Sequence, residues 1–369
     1  MRIFYDGQIY SLQTFGGISR YFANIISRLP TDDTPIITTF SKPDEDEQKK
    51  HDPVHPNLKT FQYSRFLHYR LAPIIEKYYF RKVTANEQFQ LAHPTYHRLL
   101  TQQEFSEYRC PVVLTIHDMI HELFPKKDFL GIEKENKRKA VFSAQAIICV
   151  SENTKKDLLE LYPTLENKIT VTYLASEIDI NMSYGDETVP TQPYLLYVGS
   201  RDKVYKNFDS FLLAFSKVIS INSDIKLCVV GSPFNKDEIK QIQELKLTDY
   251  IENYGHISDS HLAKLYRCSL AFIYPSLYEG FGIPPLEAMS CGTVAVVSNI
   301  SSIPEVVGDA GILFNPQAIG DLADIILFLI HNPAERDRLI AKGFQRAKDF
   351  SWDKTAAKTI EVYRAVSNS

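Results

Sequence analysis

Several features that would class a protein at once are missing from this chain, and each absence narrows what it does. Cysteine is scarce and scattered: Cys110, Cys149, Cys228, Cys268 and Cys291 are odd in number, widely spaced and include no Cys-x-x-Cys pair. That pattern argues against a disulfide framework or a zinc site and suits a reducing cytoplasm. Net charge is also small, at −4 over 369 residues, so the surface as a whole has no attraction for nucleic acid and any anion site has to be local. No apolar run approaches membrane-spanning length, and the opening MRIFYDGQIY lacks the basic start and apolar core of a signal peptide. The expectation is a cytoplasmic protein, neither secreted nor transmembrane. No Gly-x-Gly-x-x-Gly fingerprint is present. An Asp-x-Asp motif, which would hold a divalent ion against a diphosphate, is missing after every strand-like stretch. Its nearest match, Asp44-Glu45-Asp46, sits in the charged run at 44–50 and reads as a solvated loop. No metal and no tightly bound cofactor are expected.

What is present is ordinary globular material, 44% hydrophobic and 23% charged, which excludes a disordered or fibrous chain. The length suits two cores better than one. Short apolar strands alternate with amphipathic helices at 2–6 and 18–29, 112–117 and 133–144, 146–151 and 152–161, a rhythm that predicts an α/β fold with a parallel sheet covered by helices. After a strand-like stretch at 168–174 comes a polar segment, 183–193, without hydrophobic periodicity, read as an interdomain linker. The pattern restarts with strands at 194–199, 226–231, 270–274 and 294–298 and helices at 208–219, 236–245 and 258–267, predicting a second doubly wound domain. The expected domains are 1–183 and 184–350, with a terminal helix in 351–369 long enough to cross back to the first.

In such sheets ligands collect beyond the carboxyl ends of the strands, where glycine-rich loops lead into helices. The string SLYEGFGIPPLEAMSCGTVAVVS has this form. Pro284 and Pro285 suit a helix start, because proline lacks an amide hydrogen that would be orphaned there. Glu279 then falls on the loop before the helix and Glu287 in its first turn, while Gly280 and Gly282 let the backbone approach a ligand closely. Amides and helix dipole favour a diphosphate, and carboxylates accept hydrogen bonds from sugar and ribose hydroxyls. For an arbitrary pair of glutamates the better reading would be a helix-terminal residue and a solvated one. A second cluster, YVGSRDKVYKNF, places Arg201 and Lys206 on the loop after a strand ending at Gly199. Arginine offers a planar fork to phosphate oxygens and lysine a compact charge. Isolated, both would pass for surface cations.

The run YPSLYEGFGIPPLEAMSCGTVAVVSNISSIPEVVGDAGILFNP resembles the donor site of family-4 glycosyltransferases, which have the GT-B fold, with two Rossmann-like domains, and retain anomeric configuration. Glu279 and Glu287 match that family's Glu-x7-Glu motif, and the likeness extends from the Gly-Gly loop near the N-terminus to the closing SWDKTAAKTIEVYR. The resemblance implies that Glu279 contacts the donor sugar, Glu287 the ribose hydroxyls, and the amides around Phe281, Gly282 and Ile283 the sugar and phosphates. It implies that Arg201 and Lys206 stabilise the departing diphosphate in place of a metal ion, in a front-face displacement. It also implies that the loop of Gly16 and Gly17 closes over the donor, that His256 and Ile257 border the base, and that His117 meets the sugar through its side chain or backbone carbonyl. From the residues alone, His117 and Asp118 at a strand end divide evenly between a sugar ligand and a capping Asp beside a structurally bonded His.

The function expected is transfer of a hexose from a nucleotide diphosphate sugar, UDP-glucose or GDP-mannose, to a glycan or lipid-linked glycan. A nucleotide-sugar epimerase of similar fold and an inactive sugar-nucleotide-binding protein are the alternatives. The stretch 65–82, RFLHYRLAPIIEKYYFRK, mixes basic, aromatic and aliphatic residues in a way that suits peripheral contact with an anionic membrane. Core and rim packing explains it as well, and Pro73 interrupts it.

Overall fold

The computed structural model of the chain describes residues 1–12, 16–41, 52–64, 72–85, 87–124, 131–183, 185–201 and 204–368. The charged run at 44–50, the basic aromatic residues 65–71, and Asp202 and Lys203 lie outside the described residues. The chain divides into two units, Met1–Leu174 together with Trp352–Ser369, and Ala175–Ser351.

In the first unit, β1 (Arg2–Tyr5), β2 (Thr34–Ser41), β3 (Lys59–Ser64) and β4 (Leu91–Ala92) form a parallel sheet in the order β3-β2-β1-β4. A second parallel sheet holds β5 (Val113–Ile116), β6 (Ala146–Cys149) and β7 (Ile169–Val171), and a parallel bridge from Ala92 to Val112 joins the two. β5 and β6 are buried at every position, as strands covered on both faces are. The helices are α1 (Ile9–Leu12), α2 (Gly17–Ser27), α3 (Ala72–Thr84), α4 (Ile120–Leu123), α5 (Ile132–Ser143) and α6 (Glu152–Leu161). Ser151 starts α6 by accepting a hydrogen bond from the Thr154 amide at 2.9 Å, satisfying one of the donors a helix start leaves over. In α3, Phe80 packs inward with Phe40 and Leu100 while Ile74, Ile75 and Tyr78 stay exposed.

The second unit has one six-stranded parallel sheet: β8 (Tyr194–Val198), β9 (Lys226–Val230), β10 (Ile251–Gly255), β11 (Ala271–Tyr274), β12 (Ala295–Ser298) and β13 (Ile312–Phe314), in the order β10-β9-β8-β11-β12-β13. The chain winds outward one way from β8 and then the other way from β11. The topological switch point, where open α/β sheets bind ligands, therefore lies between the ends of β8 and β11. Helices α7 (Phe208–Ile221), α8 (Lys236–Glu244), α9 (Asp259–Cys268), α10 (Ile283–Ser290), α11 (Ile303–Val307), α12 (Ile319–His331) and α13 (Pro333–Ala347) complete it. Phe208, Phe211, Leu212 and Phe215, at helical spacing on α7, bury one face against the sheet and against Leu322, Ile326 and Leu329 of α12.

The polar segment 183–193 does not mark the division, which falls earlier, between Leu174 and Ala175. Side chains of α9 hold that segment on the second unit: Lys264 Nζ donates to Glu187 O at 2.6 Å, His261 Nε2 to Thr188 O at 2.9 Å, and Ser260 Oγ to Glu187 Oε1 at 2.7 Å. Sequence polarity identified the solvent-facing strap, whereas the break between cores depends on which side each residue packs.

The last helix, α14 (Trp352–Ser367), belongs to the first unit. Its buried face is Trp352, Thr355, Ala356, Thr359, Ile360 and Tyr363, and Thr355 Oγ1 donates to Tyr173 O at 2.7 Å. Tyr363 enters a buried polar chain: its hydroxyl lies 2.5 Å from His93 Nδ1 and 3.3 Å from the Tyr5 hydroxyl, and His93 Nε2 lies 2.9 Å from Thr115 Oγ1. Burial, reinforced by nearby His117, pushes the His93 pKa from 6.5 down to about 3. Below pH 6.5 the unfolded chain takes up a proton that the folded chain refuses, so this contribution to stability is complete above 6.5 and is lost as pH falls towards 3. The expected result is a thermal midpoint that drops across that window. His93→Gln, which has nothing to titrate there, should flatten the drop by a few kcal/mol in a pH series of unfolding curves, leaving the share of His117, whose pKa burial lowers to about 4.

Candidate active site

The switch point of the second unit's six-stranded sheet is where the charged residues converge. β11 ends at Tyr274, and the loop after it brings Glu279 to Lys206, which stands in a short helical turn after β8. Lys206 Nζ donates to Glu279 Oε1 at 2.6 Å and to the Tyr274 hydroxyl at 3.4 Å. The Lys206 and Glu279 side chains are 15% and 13% exposed, so the pair is largely desolvated yet open to a ligand, a setting where a charge-assisted bond is stronger than on a surface. Tyr274 is itself buried, and burial together with Glu279 keeps its hydroxyl protonated far into the alkaline range. Asn207, directly after Lys206, is in the left-handed region at φ 55° and donates to the carbonyls of Pro275 and Pro316, each at 3.1 Å. This fastens the Lys206 turn to the β11 loop.

The Glu279 loop is fixed from the other side by serines. The Glu279 amide donates to Ser301 Oγ at 2.9 Å, and Ser302 Oγ donates to the carbonyls of Glu279 at 2.8 Å and Phe281 at 2.7 Å. Gly282 then opens α10 at φ 112°, where a side chain would be strained. The helix begins at Ile283, with both prolines in its first turn. Ile283 and Leu286 are thus the sole amide donors among its first four residues. Phe281 is buried with its ring 5.8 Å from Phe350, and Gly280 lies between it and Glu279.

Glu287 departs from its expected place. The first turn of α10 holds no acidic residue. Because Ile283 already counts as the first helical position, Glu287 lies beyond that turn. It is 5% exposed, and its Oε2 accepts a hydrogen bond from the buried Tyr266 hydroxyl at 3.1 Å. A helix-terminal charge in water is thereby ruled out.

Arg201 also differs from the expectation of a free fork. Its side chain is 2% exposed. Nε donates to Glu238 Oε1 at 2.9 Å, Nη2 donates to Ser232 O, and the guanidinium carbon lies 4.7 Å from the Phe234 ring centroid. Among the described residues Nη1 is buried without a hydrogen-bond partner. Gly199 follows β8 and donates its amide to Val230 O at 3.0 Å. His256 is exposed and Ile257 half-buried on the turn after β10.

The remaining candidates belong to the first unit. Gly16 is the N-cap of α2 in extended conformation and Gly17 its first residue. Gly16 O accepts from the Arg20 amide at 3.1 Å and from Ser19 Oγ at 2.9 Å. His117 follows β5, its ring 5.2 Å from Tyr21, and its Nε2 is buried with no partner among the described residues. Burial lowers its pKa to about 4, leaving a neutral imidazole with one ring nitrogen unengaged. Asp118 does local work: Oδ1 accepts from the Ile120 amide at 3.0 Å at the start of α4. Burial raises its pKa, but the nearby Lys137 ammonium and that amide outweigh burial, and the net shift is downward. Asp118 thus closes a local turn onto Ile120 one residue ahead of Met119, the N-cap of α4, while His117 keeps an unengaged ring nitrogen among the described residues.

Tyr274, Asn207, Ser302 and Glu238 were not singled out in the sequence. Tyr274 had a usable signal, since it ends a strand at the switch point. Ser302 precedes a helix but bonds the Glu279 loop instead of capping, which no spacing announces. Among the described residues no three of His, Cys, Asp and Glu are grouped as a metal site, and no helix is long and apolar enough to cross a membrane.

Comparison with known proteins follows the two units. Residues 15–176 match the family described as Glycosyltransferase Family 4, and residues 186–346 match the family described as Glycosyl transferases group 1. The chain is similar to O-antigen chain mannosyltransferase B of Escherichia coli, with 30% identity over 288 residues that cover 75% of this chain and 72% of that one. Its backbone resembles sucrose-phosphate synthase from Thermosynechococcus elongatus, with a TM-score of 0.74 at 19% identity, covering 99% of this chain and 98% of that one. It also resembles HepE of Anabaena in complex with UDP and glucose, with a TM-score of 0.73 at 19% identity and 99% coverage of both chains.

Proposed function

The chain belongs to the family-4 glycosyltransferases and has the GT-B fold, and from that premise we propose that it is a retaining, metal-independent hexosyltransferase using a nucleotide diphosphate sugar to extend a glycan in polysaccharide biosynthesis. GDP-mannose is the first choice of donor, supported by the mannosyltransferase relative, and UDP-glucose the second. The observation that carries the reading is the Lys206–Glu279 pair at the switch point of the second unit's sheet.

In this proposal Lys206 and the unengaged Nη1 of Arg201 face the diphosphate, and Glu279 accepts hydrogen bonds from the donor sugar. The bond from the anomeric carbon to the diphosphate oxygen breaks, and a bond to the acceptor oxygen forms on the same face. The acceptor hydroxyl proton passes to the leaving diphosphate, whose growing negative charge the two cations stabilise. Glu287 supports the ribose side from its place beside Tyr266. His117 in the first unit, neutral and unengaged at Nε2, is suited to a sugar hydroxyl.

A ligand that binds only the folded chain raises its apparent stability, by about 2.7 kcal/mol at a hundred times Kd. A thermal-shift series with GDP, UDP, GDP-mannose and UDP-glucose should therefore show one base preferred, with its sugar nucleotide giving a clear upward shift. No shift with any of the four would sink the donor reading. With the acceptor in hand, NMR of the product should give the donor's own anomer, and an inverted product would remove the retaining mechanism.

A further inference from the structure

Arg201 is held by a carboxylate that is itself held. Glu238 stands in the first turn of α8, 6% exposed. Its Oε2 accepts from the Asn235 amide at 2.7 Å, while Asn235 Oδ1 accepts from the amides of Asp237 and Glu238, each at 2.9 Å. This reciprocal box fixes the glutamate at the helix start. Its other oxygen, Oε1, takes the Arg201 Nε proton at 2.9 Å. The guanidinium lies over Phe234 and near Phe208, with Nη2 on Ser232 O. The direction of the planar group is thereby set, and Nη1 is left with no partner among the described residues. Nη1 lies where β8 and β9 end: a Cβ placed on Gly231 would stand 3.3 Å from it and 2.5 Å from Gly199 O.

We infer that Glu238 is a positioning residue of the donor site, which through Arg201 aims a single guanidinium nitrogen at the donor's diphosphate. This rests on the reading of Arg201 given above. Positioning fits better than a purely structural ion pair because a buried arginine engaged only for stability would leave no buried donor without a partner. It also fits better than competition for the cation, since Nε and Nη2 are engaged and Nη1 is not.

Titration calorimetry with GDP and UDP as probes, on wild type, Glu238→Ala, Glu238→Gln, Arg201→Ala and the double variant Arg201→Ala/Glu238→Ala, tests it. Wild type should bind one probe, and Glu238→Ala should bind it about tenfold more weakly. Glu238→Gln, which keeps the oxygen facing Nε, should stay within about threefold of wild type. The double variant should be no weaker than Arg201→Ala alone, because Glu238 acts only through Arg201. Losses that add in full, a glutamine variant as weak as the alanine one, or tighter binding by Glu238→Ala would each overturn the inference while leaving Arg201 at the diphosphate. Arg201→Ala binding as wild type does, or no binding of either probe by wild type, would overturn the underlying reading and this inference with it.

Discussion

Lys206→Ala should lower the rate of sugar transfer about 10²–10³-fold, the usual cost of losing one preorganised group that stabilises charge developing in a transition state. In the free protein Nζ lies 2.6 Å from Glu279 and 3.4 Å from the Tyr274 hydroxyl. On the proposed reading the donor's diphosphate enters as a second anion beside the ammonium, and negative charge there grows as the anomeric bond breaks. The loss should therefore fall mainly on kcat, with a smaller change in donor KM. Folding should survive, because Glu279 retains some exposure and its loop is fastened independently through Ser301 and Ser302. Steady-state kinetics beside an unfolding curve decides the matter, and turnover within threefold of wild type with an unchanged midpoint would exclude a role in the chemical step.

Gly7→Ala should be the most damaging small substitution in the first unit. A Cβ at position 7 would lie 1.8 Å from the carbonyl oxygen of Thr38 and 3.1 Å from the Tyr10 ring. The Thr38 oxygen is backbone inside β2 and cannot swing away. The Gly7 amide is itself bonded to Thr38 Oγ1 at 3.0 Å, so separating the two segments to admit a methyl group also disrupts that bond. Overpacking that moves backbone costs about 3 kcal/mol or more, which corresponds to a fall of roughly 10 °C in the midpoint for a unit of this size. Gly320→Ala in α12 is the matched control. A Cβ there meets nothing within 4 Å, so the midpoint should hold or rise slightly with the better helix former. A Gly7→Ala midpoint within a degree of wild type would contradict the close approach of the loop after β1 to β2.

The two variants depend on information that the sequence holds unequally. Strands of the second unit's sheet are legible because a parallel strand covered on both faces is a short unbroken apolar run, as in Leu227–Val230. β2 and β3 carry no such signal, for physical reasons. Thr34–Ser41 carries Pro35, which weakens a strand reading, and Lys59–Ser64 is an edge strand whose Lys59, Thr60 and Gln62 are exposed. Glu279 and Lys206 could each be singled out from spacing and strand ends. Their meeting, across 73 residues, requires the strand order that puts β8 beside β11. Arg201 is legible as a cation, but its commitment to Phe234, on the connection between β9 and α8, and to Glu238, in the first turn of α8, is not. A helix starting at the prolines puts Glu287 at its fourth position, whereas the left-handed Gly282 lets Ile283 begin it and moves Glu287 one position on, out of the first turn.

The return of α14 fixes the order in which the protein can be finished. The hydroxyl contact between Tyr5 and Tyr363 closes a loop of 358 residues, and Thr355 and Trp352 add ties to Tyr173 and Tyr21. The second unit, Ala175–Ser351, is one uninterrupted stretch, available to fold as soon as it clears the ribosome. The first unit starts earlier but has to wait for α14 before its aromatic core is covered. In synthesis, therefore, the half made first is the half completed last, and Tyr5, Tyr21 and His93 remain uncovered on that side until the final helix arrives.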